Sequence, residues 1–162
     1  MTLTFNADEV FLMSEEIERN GAKFYRTAAQ NASSSAVRDF LEGLAAMEVE
    51  HIRIFADMRA DLTQQEQGWI FDPDNEAAKY LKAMVDGCIF DDKTEPASRL
   101  SGNETPEEIF TTAIGLEKNS IAYYTGIKDM VPSPEGKNKV QAIIKEEMGH
   151  VVTLKDKLDS LK

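Results

Sequence analysis

The sequence predicts an all-α protein: a four-helix bundle of two helical hairpins, joined by a long crossover that contains a short helix. Three observations lead there. Apolar residues recur at helical spacing in four stretches. The first two stretches are separated by only a short turn, as are the last two, which makes each pair antiparallel neighbours. The second pair also repeats the first at one constant shift: Glu48-Val-Glu-His51 returns as Glu147-Met-Gly-His150, and 147 − 48 and 150 − 51 both give 99. At the same shift Glu18 pairs with Glu117, Asn20 with Asn119 and Tyr25 with Tyr124. An ungapped repeat of this kind is a duplicated helical hairpin.

Asn6 followed by Glu9 has the pattern of a capping box and starts a first helix over about residues 7–30, with Val10, Phe11, Ile17, Phe24 and Tyr25 on its apolar stripe. Asn31-Ala-Ser-Ser-Ser turns the chain. Val37, Phe40, Leu41, Leu44, Phe55 and Met58 then mark a second helix, closing the hairpin 7–61. Residues 62–104 break the pattern and are too long for a plain loop, so they hold structure of their own. There Asp74 or Asn75 is expected to cap a short helix through Ala77, Tyr80, Leu81, Met84 and Val85 that ends near Gly87, with Trp69, Phe71 and Phe90 as covering residues. Thr105-Pro106-Glu107-Glu108 is a helix start with proline in the first turn. That third helix carries Phe110, Ala113, Ile114, Ile121 and Ile127 and stops before Pro132. Ser133-Pro134 opens the fourth, with Val140, Ile143, Ile144, Val151, Leu154 and Leu158 inside, completing the hairpin 105–161. Met13, Met47, Met58, Met130 and Met148 read as gap-fillers.

A length of 162 residues suits one domain spanning 1–162. With 29 acidic and 18 basic residues the net charge is −11, a field that repels phosphate and excludes nucleic acid and anionic membranes as partners. There is no run of about 18 apolar residues to span a bilayer and no basic leader ahead of an apolar run. The lone Cys88 makes no internal disulfide and reads as a packed thiol in a reducing compartment. A cytoplasmic protein is expected.

The two histidines of the chain both stand three positions after a glutamate, where the two side chains lie one above the other on a helix face. In the heptad frame Glu18 falls between Phe11 and Tyr25, Glu48 between Leu41 and Phe55, Glu117 between Phe110 and Tyr124, and Glu147 between Val140 and Leu154. Each carboxylate therefore points where core side chains belong, at a cost of several kcal/mol unless it is paired or protonated. Metal coordination resolves the conflict. One Glu from each of two helices plus Glu-x-x-His from each of the other two is the ligand set of di-iron and di-manganese carboxylate bundles. Glu18, Glu48, His51, Glu117, Glu147 and His150 are the expected ligands, with Glu48 and Glu147 bridging. Their hard donors select two iron ions or a mixed manganese/iron pair, with zinc as an adventitious occupant. Tyr25 and Tyr124 are placed to hydrogen-bond ligands of the opposite half. Glu15, Glu16, Glu50 and Glu146 fall off the stripe or on its edge and read as solvated.

Glu18-x-x-Gly21-x-x-Phe24-Tyr25, Glu48-Val-Glu-His51, Glu117-x-x-Ser120-x-x-Tyr123-Tyr124 and Glu147-Met-Gly-His150 resemble the ligand helices of rubrerythrin-type members of the ferritin-like superfamily. The segment from Tyr80 to Phe90 is similar to the crossover of relatives without a rubredoxin domain. The resemblance implies a non-haem di-iron centre, reduction of hydrogen peroxide or oxygen, and a homodimer. No Cys-x-x-Cys pair is present, so the electrons are expected from an external, rubredoxin-like donor. Rubrerythrins carry a further Glu three residues after the third-helix ligand; Ser120 stands there, and Gly21 at its counterpart, leaving six ligands as in a ferritin ferroxidase centre. The remaining expectations are a ferroxidase without cage storage, and a helical interaction module with a structural metal.

Overall fold

A computed structural model describes residues 5–68, 72, 74–85 and 95–162. Asn6 caps the first helix as its spacing predicts: its side chain accepts from the Glu9 amide at 2.9 Å, and its own amide donates to Glu9 Oε2 at 3.0 Å. Helix α1 runs Ala7–Gln30. After the turn, Ser34 caps α2, Ser35–Ala60. The second hairpin pairs α5, Pro106–Ile127, whose N-terminus is the Thr105/Glu108 capping box, with α6, Pro134–Asp159, capped by Ser133. Between the hairpins lie a one-turn helix α3, Gln64–Gln67, and α4, Glu76–Val85. A 3₁₀ turn, Pro96–Arg99, completes the described crossover. No strand occurs among the described residues, and none of their helices is long and apolar enough to cross a membrane.

One expectation for the crossover needs correction. The cap of α4 is not Asp74 or Asn75 but Asp72, whose two carboxylate oxygens accept from the amides of Ala78 at 2.9 Å and Ala77 at 3.3 Å. Asn75 instead takes a positive φ of 56°, a conformation that leads the chain into the helix without capping it. The one-turn α3 carries its own capping box, Thr63/Glu66, too short to register in the apolar pattern. Gly87 and the covering roles of Trp69, Phe71 and Phe90 lie outside the described residues, as does Cys88.

The core is divided by a polar layer. On one side Val10, Phe11, Phe55, Leu81, Tyr123 and Ile143 pack with their neighbours; on the other Phe24, Tyr25, Leu41, Phe110 and Leu154 do so. Both groups draw residues from all four long helices, so the two apolar plugs clamp the bundle while the glutamates and histidines occupy the layer between. Met13, Met58 and Met130 are buried fillers, whereas Met47 and Met148 are 41% and 50% exposed, contrary to their expected role. The crossover first lies along α5, where Tyr80 Oη donates to the Ala122 carbonyl at 2.8 Å. Its ring rests so close to Gly126 that a Cβ there would come within 2.5 Å of it. The chain then returns over α1, where Lys23 reaches Glu95 at 2.8 Å.

Candidate metal centre

The heptad phase that threatened to bury four carboxylates does so. Glu18, Glu48, His51, Glu117, Glu147 and His150 are all buried, none more than 4% exposed. One from each of α1 and α5 and a Glu-x-x-His pair from each of α2 and α6 converge. His51 Nδ1 lies 3.3 Å from Glu18 Oε2 and 3.1 Å from Glu147 Oε1. His150 Nδ1 lies 2.8 Å from Glu147 Oε2, 3.5 Å from Glu117 Oε1 and 3.7 Å from Glu48 Oε1. The imidazole rings stack with centroids 6.0 Å apart. Two overlapping groups result, Glu18/Glu48/His51/Glu147 and Glu48/Glu117/Glu147/His150, each with its donor atoms within 4.8 Å of one another. Glu48 and Glu147 belong to both, the place a bridging carboxylate takes between two ions.

The tyrosines meet their expected targets across the bundle. Tyr25 Oη donates to Glu117 Oε1, and Tyr124 Oη donates to Glu18 Oε1. Burial, then the charge of Glu117, pushes the Tyr25 hydroxyl well above its ordinary range, and burial with Glu18 does the same at Tyr124, so both remain protonated donors. Electrostatics in the layer are sharply divided. Burial raises Glu48 well above the usual carboxylate range, and the charges of Glu18, Glu117 and Glu147 push the same way. Burial also carries Glu117 up to about 8 despite its hydrogen bond with His150. For Glu147 burial is outweighed by the hydrogen bonds of His150 and His51, which bring it down to about 2. Burial alone would lower both histidines, but the surrounding carboxylates raise His51 to about 11 and His150 to about 9. Without cations the layer therefore holds protons in their place.

The residues present fit a pair of divalent cations. Glu48 Oε1 is buried with no hydrogen-bond partner, a costly state for a carboxylate oxygen that a cation would relieve. Both Nδ1 atoms face the carboxylates, leaving their lone pairs available once deprotonated.

Two residues expected in solvent are engaged. Glu146 Oε2 accepts from His51 Nε2 at 2.8 Å, although the Glu146 side chain is 50% exposed. A carboxylate behind the imidazole fixes the ring and its tautomer and makes Nδ1 the more basic donor. Glu15 is 4% exposed and bound by Arg19 at 2.7 Å and Arg59 at 3.5 Å. Glu16 and Glu50 stay outside the layer on Arg19 and Arg53. Sequence spacing misses Glu146 because it lies off its own helix's apolar stripe; only the approach of α6 to α2 brings it to His51.

The family model described as Rubrerythrin matches residues 9–158. The chain belongs to the rubrerythrin family. A crystal structure from Thermotoga maritima, described as a ferritin-like diiron-carboxylate protein, superposes with a TM-score of 0.77 over 98% of either chain at 21% identity. That likeness shows that this rubrerythrin-family chain has the ferritin-like fold. No curated protein matches it.

Proposed function

We propose that this rubrerythrin-family protein is a non-haem di-iron oxidoreductase of the cytoplasm, reducing hydrogen peroxide or oxygen with electrons from an external rubredoxin-like donor. The observation that carries the reading is the buried layer of four glutamates and two inward-facing Nδ1 atoms, with Glu48 and Glu147 common to both halves. Glu18, Glu48, His51 and Glu147 would hold one ion and Glu48, Glu117, Glu147 and His150 the other. A reducing iron pair there would supply the two electrons that cleavage of an O–O bond takes up.

The protein's own groups do the rest. Tyr25 and Tyr124 hold Glu117 and Glu18 by hydrogen bonds, limiting their swing. The apolar plugs cover the layer on two sides and strengthen the interactions that face them. Tyr25 Oη borders the cavity at the layer and donates its hydrogen bond to Glu117 there. The test is iron content of protein loaded anaerobically, followed by stopped-flow reoxidation of the reduced form with peroxide and with oxygen. Two irons per chain and reoxidation by peroxide within the turnover time of a reductase are expected; saturation at one ion or an inert reduced form would overturn the reading. Gly21 and Ser120, where a seventh carboxylate is missing, favour ferroxidase as the second reading, recognised by release of ferric product after each oxidation.

A further inference from the structure

A cavity of about 270 Å³ opens onto the metal layer from the side of α1 and α5, opposite the histidines' helices. Its floor is Glu48, Glu117 and Tyr25. The duplication explains why it exists. Ile17 and Leu116, Asn20 and Asn119, and Gly21 and Ser120 all line it, and each pair is related by the shift of 99 that relates Glu48 to Glu147. The cavity thus straddles the pseudo-twofold axis, where the small residues Gly21 and Ser120 leave room. Gly21 is tight against Glu48, where a Cβ would lie 2.6 Å from Oε2, and Ser120 turns its hydroxyl back to the Leu116 carbonyl at 3.2 Å. Above this floor Ile17, Leu116 and Met84 give apolar walls. Arg99, from the 3₁₀ turn laid over α1, breaks the symmetry at the rim; it is exposed and makes no ion pair among the described residues.

We propose that this cavity seats an organic hydroperoxide, its O–O group on the floor, its apolar body between Ile17, Leu116 and Met84, and an acidic end on Arg99. The inference rests on the di-iron reading above and names its substrate class. Size and lining both argue for it. A water molecule takes up about 30 Å³ of liquid and hydrogen peroxide only slightly more, so neither needs a space of this volume or apolar walls. Arg99 provides the forked donor that binds a carboxylate in two places. Chemically the hydroperoxide ROOH takes up two electrons, from the external donor by way of the centre, and two protons; its O–O bond breaks and ROH and water leave.

The test uses the metal-loaded protein. Cumene hydroperoxide and its 4-carboxy analogue are the substrates, and their alcohols, which cannot react, are the binding probes. Calorimetry should show saturable binding of both alcohols, the carboxylate about tenfold tighter, which is about 1.4 kcal/mol. Arg99→Gln, a change at an exposed position, should abolish that difference. Leu116→Trp, which fills one wall, should abolish binding while metal content stays at that of the parent. In stopped flow, the ratio of organic to hydrogen peroxide reoxidation rates should fall in Leu116→Trp. Absence of binding by either alcohol, or binding and rate ratios indifferent to both substitutions, would overturn the proposal even if hydrogen peroxide reoxidises the centre. Alcohols that bind as described to a centre no peroxide reoxidises would instead sink the di-iron peroxidase reading and leave the binding site standing.

Discussion

At His51 and His150 the duplication breaks. His51 donates from Nε2 to Glu146, while His150 Nε2 is buried with no hydrogen-bond partner. The position equivalent to Glu146, 146 − 99, is Met47, whose thioether is at best a weak acceptor. The two ion positions are thus unequal, with the more basic imidazole at His51. Glu146→Ala is expected to weaken one of two ions by roughly 10- to 100-fold, the usual loss on removing a carboxylate behind a ligating imidazole. Competition with a graded chelator should then release the two ions closer together than in the parent, whose His51 side holds its ion longer. Unchanged release would show that the contact is incidental. A second residue has opposing effects. Gly21→Ala adds helix propensity, about 1 kcal/mol, yet pushes on Glu48 Oε2 from 2.6 Å. The metal-free variant should melt no lower than the parent, while its gain in Tm on metal loading shrinks; an undiminished gain would show that Glu48 relocates freely.

Among the elements, α4 makes hydrogen bonds that can be removed singly. Its N-terminus hangs on Asp72 and its middle on Tyr80, whose ring needs the bare backbone at Gly126. Asp72→Ala should cost about 1 kcal/mol, the usual value of a helix cap. The loss should be local: faster hydrogen exchange at Ala77 and Ala78, with the α1/α2 hairpin as protected as before. Uniform loss of protection would mean that α4 is part of the cooperative core. The long helices need no such single prop, because each carries both a side-chain cap and a stripe that enters both apolar plugs.

For the molecule as a whole, the polar layer sets how stability depends on pH and metal. In the metal-free state Glu117, with a folded value of about 8, keeps its proton above the ordinary 4.5, so the folded form binds more protons than the unfolded one between those values. Glu48 acts in the same sense. His150 and His51, raised from 6.5 to about 9 and about 11, also hold extra protons when folded, and their contribution is lost as pH rises through those values. Stability must fall wherever the native state binds more protons, so these groups all make the metal-free bundle weaker from pH 5 toward pH 9. Glu147, lowered to about 2, contributes stability above 4.5 that disappears only in strong acid. The expected measurement is a metal-free Tm that declines across pH 5 to 9. Metal loading should raise Tm, and by more at the alkaline end, where cations no longer displace protons. A metal-free Tm that is level over that range, or equal to the loaded one at neutral pH, would contradict this account.

Sequence alone determined the four long helices, their caps and the six residues of the polar layer. The physical reason is that heptad phase and the offset of three between Glu and His are properties of one helix, readable without its neighbours. The two tyrosines were legible for the same reason, through the shift of 99 that copies them with their glutamates. What needed the tertiary structure was everything made between helices off those stripes. Glu146 is half exposed and out of phase on α6, and acquires its role only because α2 presents His51 Nε2 to it. Glu15, held by Arg19 of its own helix, is also met by Arg59 arriving from α2, a contact no single helix encodes. Asp72 caps α4 from outside the expected boundary because Asn75 turns the chain through a positive φ. The cavity over Glu48 and Glu117 likewise belongs to no single segment: Gly21 and Ser120 were visible as small residues, but only the meeting of α1 with α5 beneath Arg99 turns their smallness into a space.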